Sequence, residues 1–304
     1  MTSIVIPAHN EARVIGRLLD SLLADSSLKG PEDPANSQNP ENPENSENSA
    51  DDTDIVVVCN GCTDDTARIA AARGPRVRVV EIPVPSKHAA LRAGDDHARG
   101  FPRLYVDADV VIAGADVRAL TEPLDDETSG ILATAPERRI PLASCAWRVR
   151  AYYQVWQRLP AVREGLFGRG VIAVSKAGHA RIAALPPLMA DDLAASLAFT
   201  PEERLVVDAA GVVIQPPRTW QDLIKRRVRA AVSTAQVEQH QGPEGASART
   251  SKADLKAMLR GEPKLCVAVV VFVAAAVAAR RAARKAIRAQ DFGTWLRDES
   301  SRQN

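Results

Sequence analysis

The sequence lacks a marked excess of either charge. Its 304 residues carry 39 lysines and arginines against 38 aspartates and glutamates, a net charge of +1. Because nucleic acid attracts strongly basic surfaces, this composition does not indicate a nucleic-acid partner. The apolar run at residues 2–7 is too short for a signal peptide and has no basic leader, so we expect a cytoplasmic protein. The length suits one large α/β domain with appendages, or two small domains.

Cysteines are also scarce, numbering four. Cys59 and Cys62 form a C-x-x-C pair, but a zinc site would need about two further ligands at matching spacing, and none lies nearby. A redox pair would be expected in the first turn of a helix, whereas this stretch is polar and contains glycine. We interpret the pair as two thiols flanking a loop. The sequence contains no G-x-G-x-x-G run, which excludes a Rossmann oxidoreductase.

The first 110 residues alternate between short apolar strands and helices. The pattern predicts strands at 3–7, 55–59, 77–82 and 103–106, and helices at 11–24, 63–73 and 87–99. Asn10 is the predicted N-cap of the first helix. Alternating strands and helices favour an α/β fold with a mostly parallel, Rossmann-like sheet flanked by helices and joined by right-handed crossovers.

Residues 30–54 interrupt this alternation. They are rich in Pro, Asn, Glu and Ser and contain no basic residue. Such a segment buries too little apolar surface to offset its ordering entropy, so we predict a disordered acidic insertion. Because the cost of closing a loop rises only logarithmically with its length, the fold can tolerate it.

The second half is less regular. The pattern predicts strands at 130–134 and 171–175, a helix at about 144–159, a hairpin formed by 205–208 and 212–215 around Gly211, and a basic helix at 220–239. We place the main domain at residues 1–240, a polar linker at 241–251, and a helical tail at 252–304.

Polar clusters follow three of the predicted strands, at residues 8–11, 60–64 and 107–109. Ligands of parallel sheets bind at the carboxyl ends of the strands, so the clusters indicate one shared crevice. Two carboxylates two residues apart, Asp107 and Asp109, can hold a divalent ion together with substrate phosphates. An isolated Asp-x-Asp is common in solvated turns, but its position directly after an apolar strand favours a site.

Four motifs in series resemble family 2 glycosyltransferases with the GT-A fold. They are residues 4–11 (IVIPAHNE), 58–66 (VCNGCTDDT), 87–94 (KHAALRAG) and 106–109 (VDAD). The resemblance implies a nucleotide-binding set formed by Pro7, Ala8, Asn10, Glu11, Asn60, Lys87 and Asp107. It also implies that Asp107 and Asp109 bind Mn²⁺ or Mg²⁺. Asn60 stands where the family usually has an aspartate, which leaves the donor base open.

The resemblance extends weakly into the second half. Residues 189–193 (MADDL) resemble the family's acidic pair, which makes Asp192 the catalytic base, with Asp191 as a helix cap or as the base in a swapped assignment. Residues 168–170 (GRG) resemble a flexible glycine segment before the acceptor strand. Residues 225–229 resemble a basic run over the diphosphate, which assigns Arg227 and Arg229 to the nucleotide.

The function implied is a metal-dependent, inverting transfer from a nucleotide sugar to an acceptor hydroxyl. A UDP-sugar is favoured, with GDP- and dTDP-sugars as alternatives, and a lipid-linked acceptor is one candidate. The chain lacks the Gln-x-x-Arg-Trp of processive synthases. A catalytically silent nucleotide-binding scaffold remains an alternative from another class. A nucleotidyltransferase ranks lower, because residues 8–11 are not a glycine-rich phosphate loop.

Residues 265–279 are apolar and are followed by arginines and a lysine up to residue 288. A helix over the apolar part alone would be roughly 22 Å long, which is short for a bilayer core of about 30 Å. An interfacial or re-entrant helix at the inner face of the cell membrane, contacting it through 265–288, is one expectation. A helix packed on the catalytic domain is the other.

A deletion tests the predicted insertion. Removing residues 31–49 should leave the free energy of unfolding nearly unchanged, because a segment of this composition contributes little buried apolar surface. Urea unfolding of the deletion variant and the full chain measures the difference. A loss of several kcal/mol would contradict the prediction.

Overall fold

The structure, a computed structural model, describes residues 1–24, 53–126, 128–186, 191–241 and 250–288. A seven-stranded mixed sheet has the order β3-β2-β1-β4-β6-β5-β7. Its strands are β1 (Thr2–Ala8), β2 (Thr53–Asn60), β3 (Val77–Ile82), β4 (Arg103–Val106), β5 (Ala133–Arg139), β6 (Val171–Val174) and β7 (Arg204–Val213). β6 is antiparallel to both of its neighbours, and the remaining strand pairs are parallel.

Eleven helices accompany the sheet within the described residues. They are α1 (Ile15–Leu23), α2 (Thr66–Ala71), α3 (Lys87–His97), α4 (Gly114–Asp125), α5 (Trp147–Trp156), α6 (Pro160–Glu164), α7 (Lys176–Ala183), α8 (Asp191–Leu197), α9 (Trp220–Gln241), α10 (Lys252–Gly261) and α11 (Cys266–Arg288).

The centre of the sheet is buried on both faces. Every residue of β1 from Ser3 to Ala8 is buried, as are those of β2 from Asp54 to Asn60. One face receives Leu18 and Leu19 of α1. On the other face α3 approaches β1 so closely that a Cβ on Gly94 would lie 2.2 Å from Cγ1 of Val5. A glycine is therefore required where α3 crosses β1.

The predicted strands of the first half are confirmed, with β3 and β4 at the predicted bounds. The predicted hairpin around Gly211 is wrong: residues 204–213 form one strand, β7, which pairs in parallel with β5. A register shift between Pro136 and Glu137 accommodates the irregular part of that pairing. The strand predicted at 130–134 begins at Ala133, and helix α4 was not predicted.

The start of α1 and the start of β2 also differ from expectation. Asn10 has a φ of 54° and is not a helix cap, because α1 begins at Ile15 with Val14 as its N-cap. Asp54, assigned to the insertion, is a buried residue of β2 that pairs with Arg78 at 2.6 Å. Thr53, also assigned to the insertion, begins β2. Residues 30–52 of the predicted insertion lie outside the described residues, as do residues 242–249 of the predicted linker.

A second apolar cluster joins the C-terminal helices to α5. Tyr152 of α5 stacks on Phe272 of α11 at 5.2 Å between ring centroids. Val228 and Val232 of α9 pack with alanines 279 and 283 of α11. Helix α11 runs through the basic residues and spans 23 residues, which is roughly 34 Å. The length expected from the apolar run alone was therefore too short.

The close approach of α3 to β1 predicts a stability effect. Gly94→Ala should lower the free energy of unfolding by about 1–3 kcal/mol, because the added methyl group overlaps Val5. Gly261→Ala is the matched control, since its Cβ would meet nothing within 4 Å. Urea unfolding of both variants measures the effect, and equal stabilities would contradict the prediction.

Candidate active site

The loops after β1 and β2 are joined by direct hydrogen bonds. The side-chain amide of Asn60 donates to the carbonyl oxygen of Ala8 at 2.9 Å, and His9 Nδ1 donates to the Asn60 carbonyl at 2.6 Å. Asn10 Oδ1 accepts from the backbone amide of Thr63 at 2.8 Å. This bond spans the two loops, and it accounts for the left-handed conformation of Asn10 better than a helix cap does.

Asp64 ties the same loops together from the other side. Its carboxylate accepts from the amide of Ala12 at 3.1 Å and from the amide and hydroxyl of Thr66. Partial burial raises the pKa of this carboxyl, but the hydrogen bonds from Thr66 and Ala12 outweigh it and hold the pKa below its usual value. Asp64 is therefore a negatively charged link between the loops.

The hydrogen bond from the Asn60 side chain explains why an asparagine stands where the family usually has an aspartate. Asn60 is buried and uses its amide nitrogen as a donor to Ala8. An aspartate carboxylate has no hydrogen to donate and would oppose that carbonyl oxygen. The asparagine is thus matched to the loop geometry of this chain.

The C-x-x-C thiols also support this loop. Cys62 donates to the carbonyl of Ala8 and accepts from the amide of Asn10, both at 3.4 Å. Burial, and secondarily the neighbouring Cys62, raise the pKa of the Cys59 thiol to about 12. A thiol held protonated is a poor nucleophile and a poor metal ligand, and the described residues contain no group of three or more His, Cys, Asp or Glu able to hold a metal.

Asp107 lies at the end of β4, where three elements meet. Its carboxylate accepts from Lys87 Nζ at 2.8 Å, and its amide donates to the carbonyl of Gly170 at 2.7 Å. A Cβ on Gly170 would lie 2.5 Å from Val110 and 3.5 Å from the Asp107 carboxylate. Glycine at 170 therefore leaves room beside this carboxylate. Asp109 follows in the turn and is half-buried.

Asp192 lies in the first turn of α8, and its carboxylate accepts from the amide of Gly168 at 2.8 Å. Arg169, which lies between Gly168 and Gly170, is 1% exposed. Its guanidinium donates to the backbone carbonyls of residues 136, 163 and 165. The buried arginine thus ties residues 168–170 to three neighbouring backbone segments, and φ is positive only at the two glycines.

Asp107 and Asp192 line one cavity of about 140 Å³. Pro7, Lys87 and Gly170 contribute to the same wall. The rest of the lining is largely apolar, and comes from α3, β4, β6, α7 and the start of α8. Its apolar members include Leu91, Leu166, Ile172, Ile182, Leu185 and Ala195. A carboxylate of the first half and a carboxylate of the second thus line the same cavity.

Other predicted site residues do not line this cavity, and the side chain of one of them is not among those that the structure describes. Arg227 and Arg229 are not among the residues that line the cavity, and the Arg227 guanidinium lies 5.9 Å from the Tyr152 ring centroid. Ala8 is buried, and Glu11 uses its amide to bond Thr66 Oγ1 at 2.8 Å. Asp191 begins α8, but its side chain lies outside the description.

Sequence reasoning missed Arg138, a largely buried arginine of β5 whose guanidinium lies 4.9 Å from the Trp156 ring centroid. Burial, and secondarily the charge of Arg169, lower its pKa to about 9, while Glu137 and Asp192 act in the opposite direction. Arg138 and the Asp192 carboxylate are therefore close enough for their opposite charges to attract each other. Its signal was weak, because an arginine near a strand end normally indicates a solvated position.

A second missed group includes two residues that line the cavity, Asp95 and Tyr105. The Tyr105 hydroxyl donates to Asp95 at 2.7 Å and contacts His179 Nδ1 at 2.9 Å, and Arg103 pairs with Asp95 at 2.9 Å. Burial, and then the charge of Asp95, raise the pKa of Tyr105. The network joins α3, β4 and α7, which all contribute to the cavity.

Solved structures share this architecture. A mannosyltransferase of Pyrobaculum calidifontis in complex with GDP-Man and Mn²⁺ superposes with a TM-score of 0.56 at 20% identity, covering 98% of this chain and 81% of that one. Glucosyl-3-phosphoglycerate synthase of Mycobacterium tuberculosis with Mn²⁺ and UDP-glucose gives 0.52 at 20% identity, with 78% of each chain covered. At these identities the likeness establishes the GT-A fold.

Sequence comparison supplies the family. Dolichyl-phosphate beta-glucosyltransferase ALG5C of Trichomonas vaginalis is 33% identical over 112 residues, which cover 36% of this chain. The match spans only 29% of that relative's length. The glycosyl transferase family 2 profile matches residues 3–174, more than half of the chain. The four motifs and the sheet they follow therefore identify this chain as a member of glycosyl transferase family 2.

Proposed function

We propose that this protein transfers a sugar from a nucleotide-diphosphate sugar to an acceptor hydroxyl, with inversion at the anomeric carbon. The observation that carries the proposal is the cavity lined by both Asp107 and Asp192, with Lys87 bonded to Asp107. Asp107 would face the donor, and Asp192 would act on the acceptor. A silent scaffold has no need of such an arrangement.

The donor side would be formed by residues 7–11, Asn60, Lys87 and Asp107. Asp107 and Asp109 would hold Mn²⁺ or Mg²⁺, which suits their chemistry, since hard cations bind few carboxylates and complete their shell with phosphates and water. When bound, the ion would neutralise charge on the leaving diphosphate. Lys87, bonded to Asp107 Oδ1, adds a positive charge at the same place. We favour a UDP-sugar, with GDP- or dTDP-sugars as alternatives.

Asp192 would be the catalytic base. The acceptor O–H bond breaks with its proton passing to the Asp192 carboxylate, while the acceptor oxygen bonds the anomeric carbon. The bond from that carbon to the diphosphate breaks, and the electron pair leaves with the diphosphate. The amide of Gly168 bonds the carboxylate at 2.8 Å, which holds it in place while leaving lone pairs for the proton.

The acceptor we propose has an apolar part and includes lipid-linked alcohols. The cavity is lined largely by apolar side chains, with His88, Arg92, Asp95 and Tyr105 among its polar members, and such a lining suits an acceptor that has both an apolar and a polar part. The Trichomonas relative is named for a dolichyl-phosphate substrate. We also propose that the protein works at the inner face of the cell membrane, in contact with it through residues 265–288.

Donor binding tests the metal site. Nucleotide diphosphate should bind much more weakly in EDTA than in Mn²⁺, and Asp109→Ala should remove this difference, because the bridging ion is no longer held. Calorimetric titration of UDP and GDP under both conditions gives the dissociation constants. Asp125→Ala, which changes a carboxylate of α4 outside the cavity lining, is the control. Equal affinity with EDTA and with Mn²⁺ would rule the metal bridge out.

Two neighbouring carboxylates test the base. Asp192→Asn should lower kcat by roughly a hundredfold or more, the effect of a positioned general base, and leave the donor dissociation constant unchanged. Asp191→Asn should cost less, since a helix cap contributes about 1 kcal/mol of stability. Transfer by both variants is measured on one acceptor, with donor binding measured separately. Inactive Asp191→Asn beside active Asp192→Asn would reverse the assignment.

A further inference from the structure

Helix α11 has two distinct faces. One packs on α5 and α9 through residues 268, 269, 272, 275, 279 and 283. The other exposes four large apolar side chains, with exposed fractions from 40% to 68%: Val267, Val270, Val273 and Val277. At 3.6 residues per turn these valines fall within one arc of about 120°, opposite the packed face. We name them the valine stripe.

Basic residues continue the valine stripe toward the end of the helix. Arg280, Arg281 and Arg284 are exposed. The same periodicity places Arg281 and Arg284 within the arc that the valines occupy and Arg280 about 20° beyond its border. Residues 263–288 contain no aspartate or glutamate. The exposed face of α11 is therefore apolar along its first half, and the charges exposed beyond it, at residues 280–284, are all positive.

The packing of α11 decides between crossing a membrane and lying on one. Residues 263–284 are long and apolar enough to span by composition, but 39% of the apolar window is buried inside the protein. Its buried face is joined to α9, which carries Arg226, Arg227 and Arg229. Drawing α11 across a bilayer would take those arginines into hydrocarbon or break the packing, and both are costly.

We propose that the valine stripe and its arginines dock the protein on an anionic bilayer, with α11 lying along the interface rather than crossing it. The valines enter the boundary between head groups and acyl chains, and Arg280, Arg281 and Arg284 contact anionic head groups. This deepens the proposed membrane contact, and it does not depend on the transfer reaction. Charge selects a lipid surface over a second copy of this chain, because α11 of a second copy has no aspartate or glutamate to pair with these arginines.

Flotation with vesicles tests the surface. The full chain should bind phosphatidylcholine vesicles that contain about one-third phosphatidylglycerol, bind pure phosphatidylcholine far less, and be released by salt. Changing the four stripe valines to glutamine should lower the partition coefficient at least tenfold. Changing Arg280, Arg281 and Arg284 to glutamine should lower it on the order of a hundredfold. These side chains are exposed, so thermal unfolding should show both variants folded.

Matched controls separate the stripe from general surface properties. Val84→Gln with Leu205→Gln removes exposed apolar side chains elsewhere, and Arg17, Arg68 and Arg118 changed to glutamine remove three exposed arginines of other helices. Both control variants should bind vesicles as the unaltered chain does. A valine-stripe variant that still binds, or a full chain that binds neither vesicle, overturns the proposal.

Light scattering and a truncation test the two other candidates for covering the valine stripe, a second copy of the chain and residues 289–304. A doubled mass that falls to one chain in the valine variant, without vesicle binding, would make the stripe a dimer interface and overturn the proposal. If vesicle binding appears only after residues 289–304 are removed, that segment covers the valine stripe in the full chain, and the proposal is overturned. The thermal shift produced by UDP with Mn²⁺ is measured on every variant. Vesicle binding without any such shift in the full chain would reject the proposed function and keep the docking surface.

Discussion

The antiparallel pairing of β6 with β4 is the constraint on which the candidate site depends. Because the two strands run in opposite directions, the start of β6 lies beside the end of β4, with Val171 opposite Val106. The carbonyl of Gly170 can therefore accept from the amide of Asp107. Two residues earlier, the amide of Gly168 holds Asp192. A parallel β6 would have placed this segment at the opposite edge of the sheet.

Buried arginines hold the second half of the site in place. Arg169 donates to three backbone carbonyls, those of residues 136, 163 and 165, and so ties down the segment between Asp107 and Asp192. Charge buried without partners would be unfavourable by several kcal/mol, so the carbonyls and Glu137 are necessary to it. Arg138, beside the same segment, adds positive charge near Asp192. The arginines missed by sequence reasoning thus have structural functions close to the proposed chemistry.

Local sequence patterns were sufficient to predict strand boundaries where proline or charged residues flank an apolar run. β3 and β4 have their predicted bounds because Pro75 and Pro102 precede them, and Pro83 and Asp107 follow them. Prediction failed where a distant partner decided the conformation. Asn10 resembles a cap in sequence, but its side chain bonds Thr63 from the next loop. The residues around Gly211 resemble a turn, but pairing with β5 keeps them in one strand.

The sequence by itself determined the family, the order of the first four strands and the position of Asp107 and Asp109 after β4, because these follow from short contiguous motifs. Only the tertiary structure decided which side chains share a cavity, since Lys87, Asp107 and Asp192 are far apart along the chain. It also decided that Asn60 donates to Ala8 and that one face of α11 is covered while the valine stripe is exposed. Each of these depends on contacts between segments distant in sequence, which no local periodicity encodes.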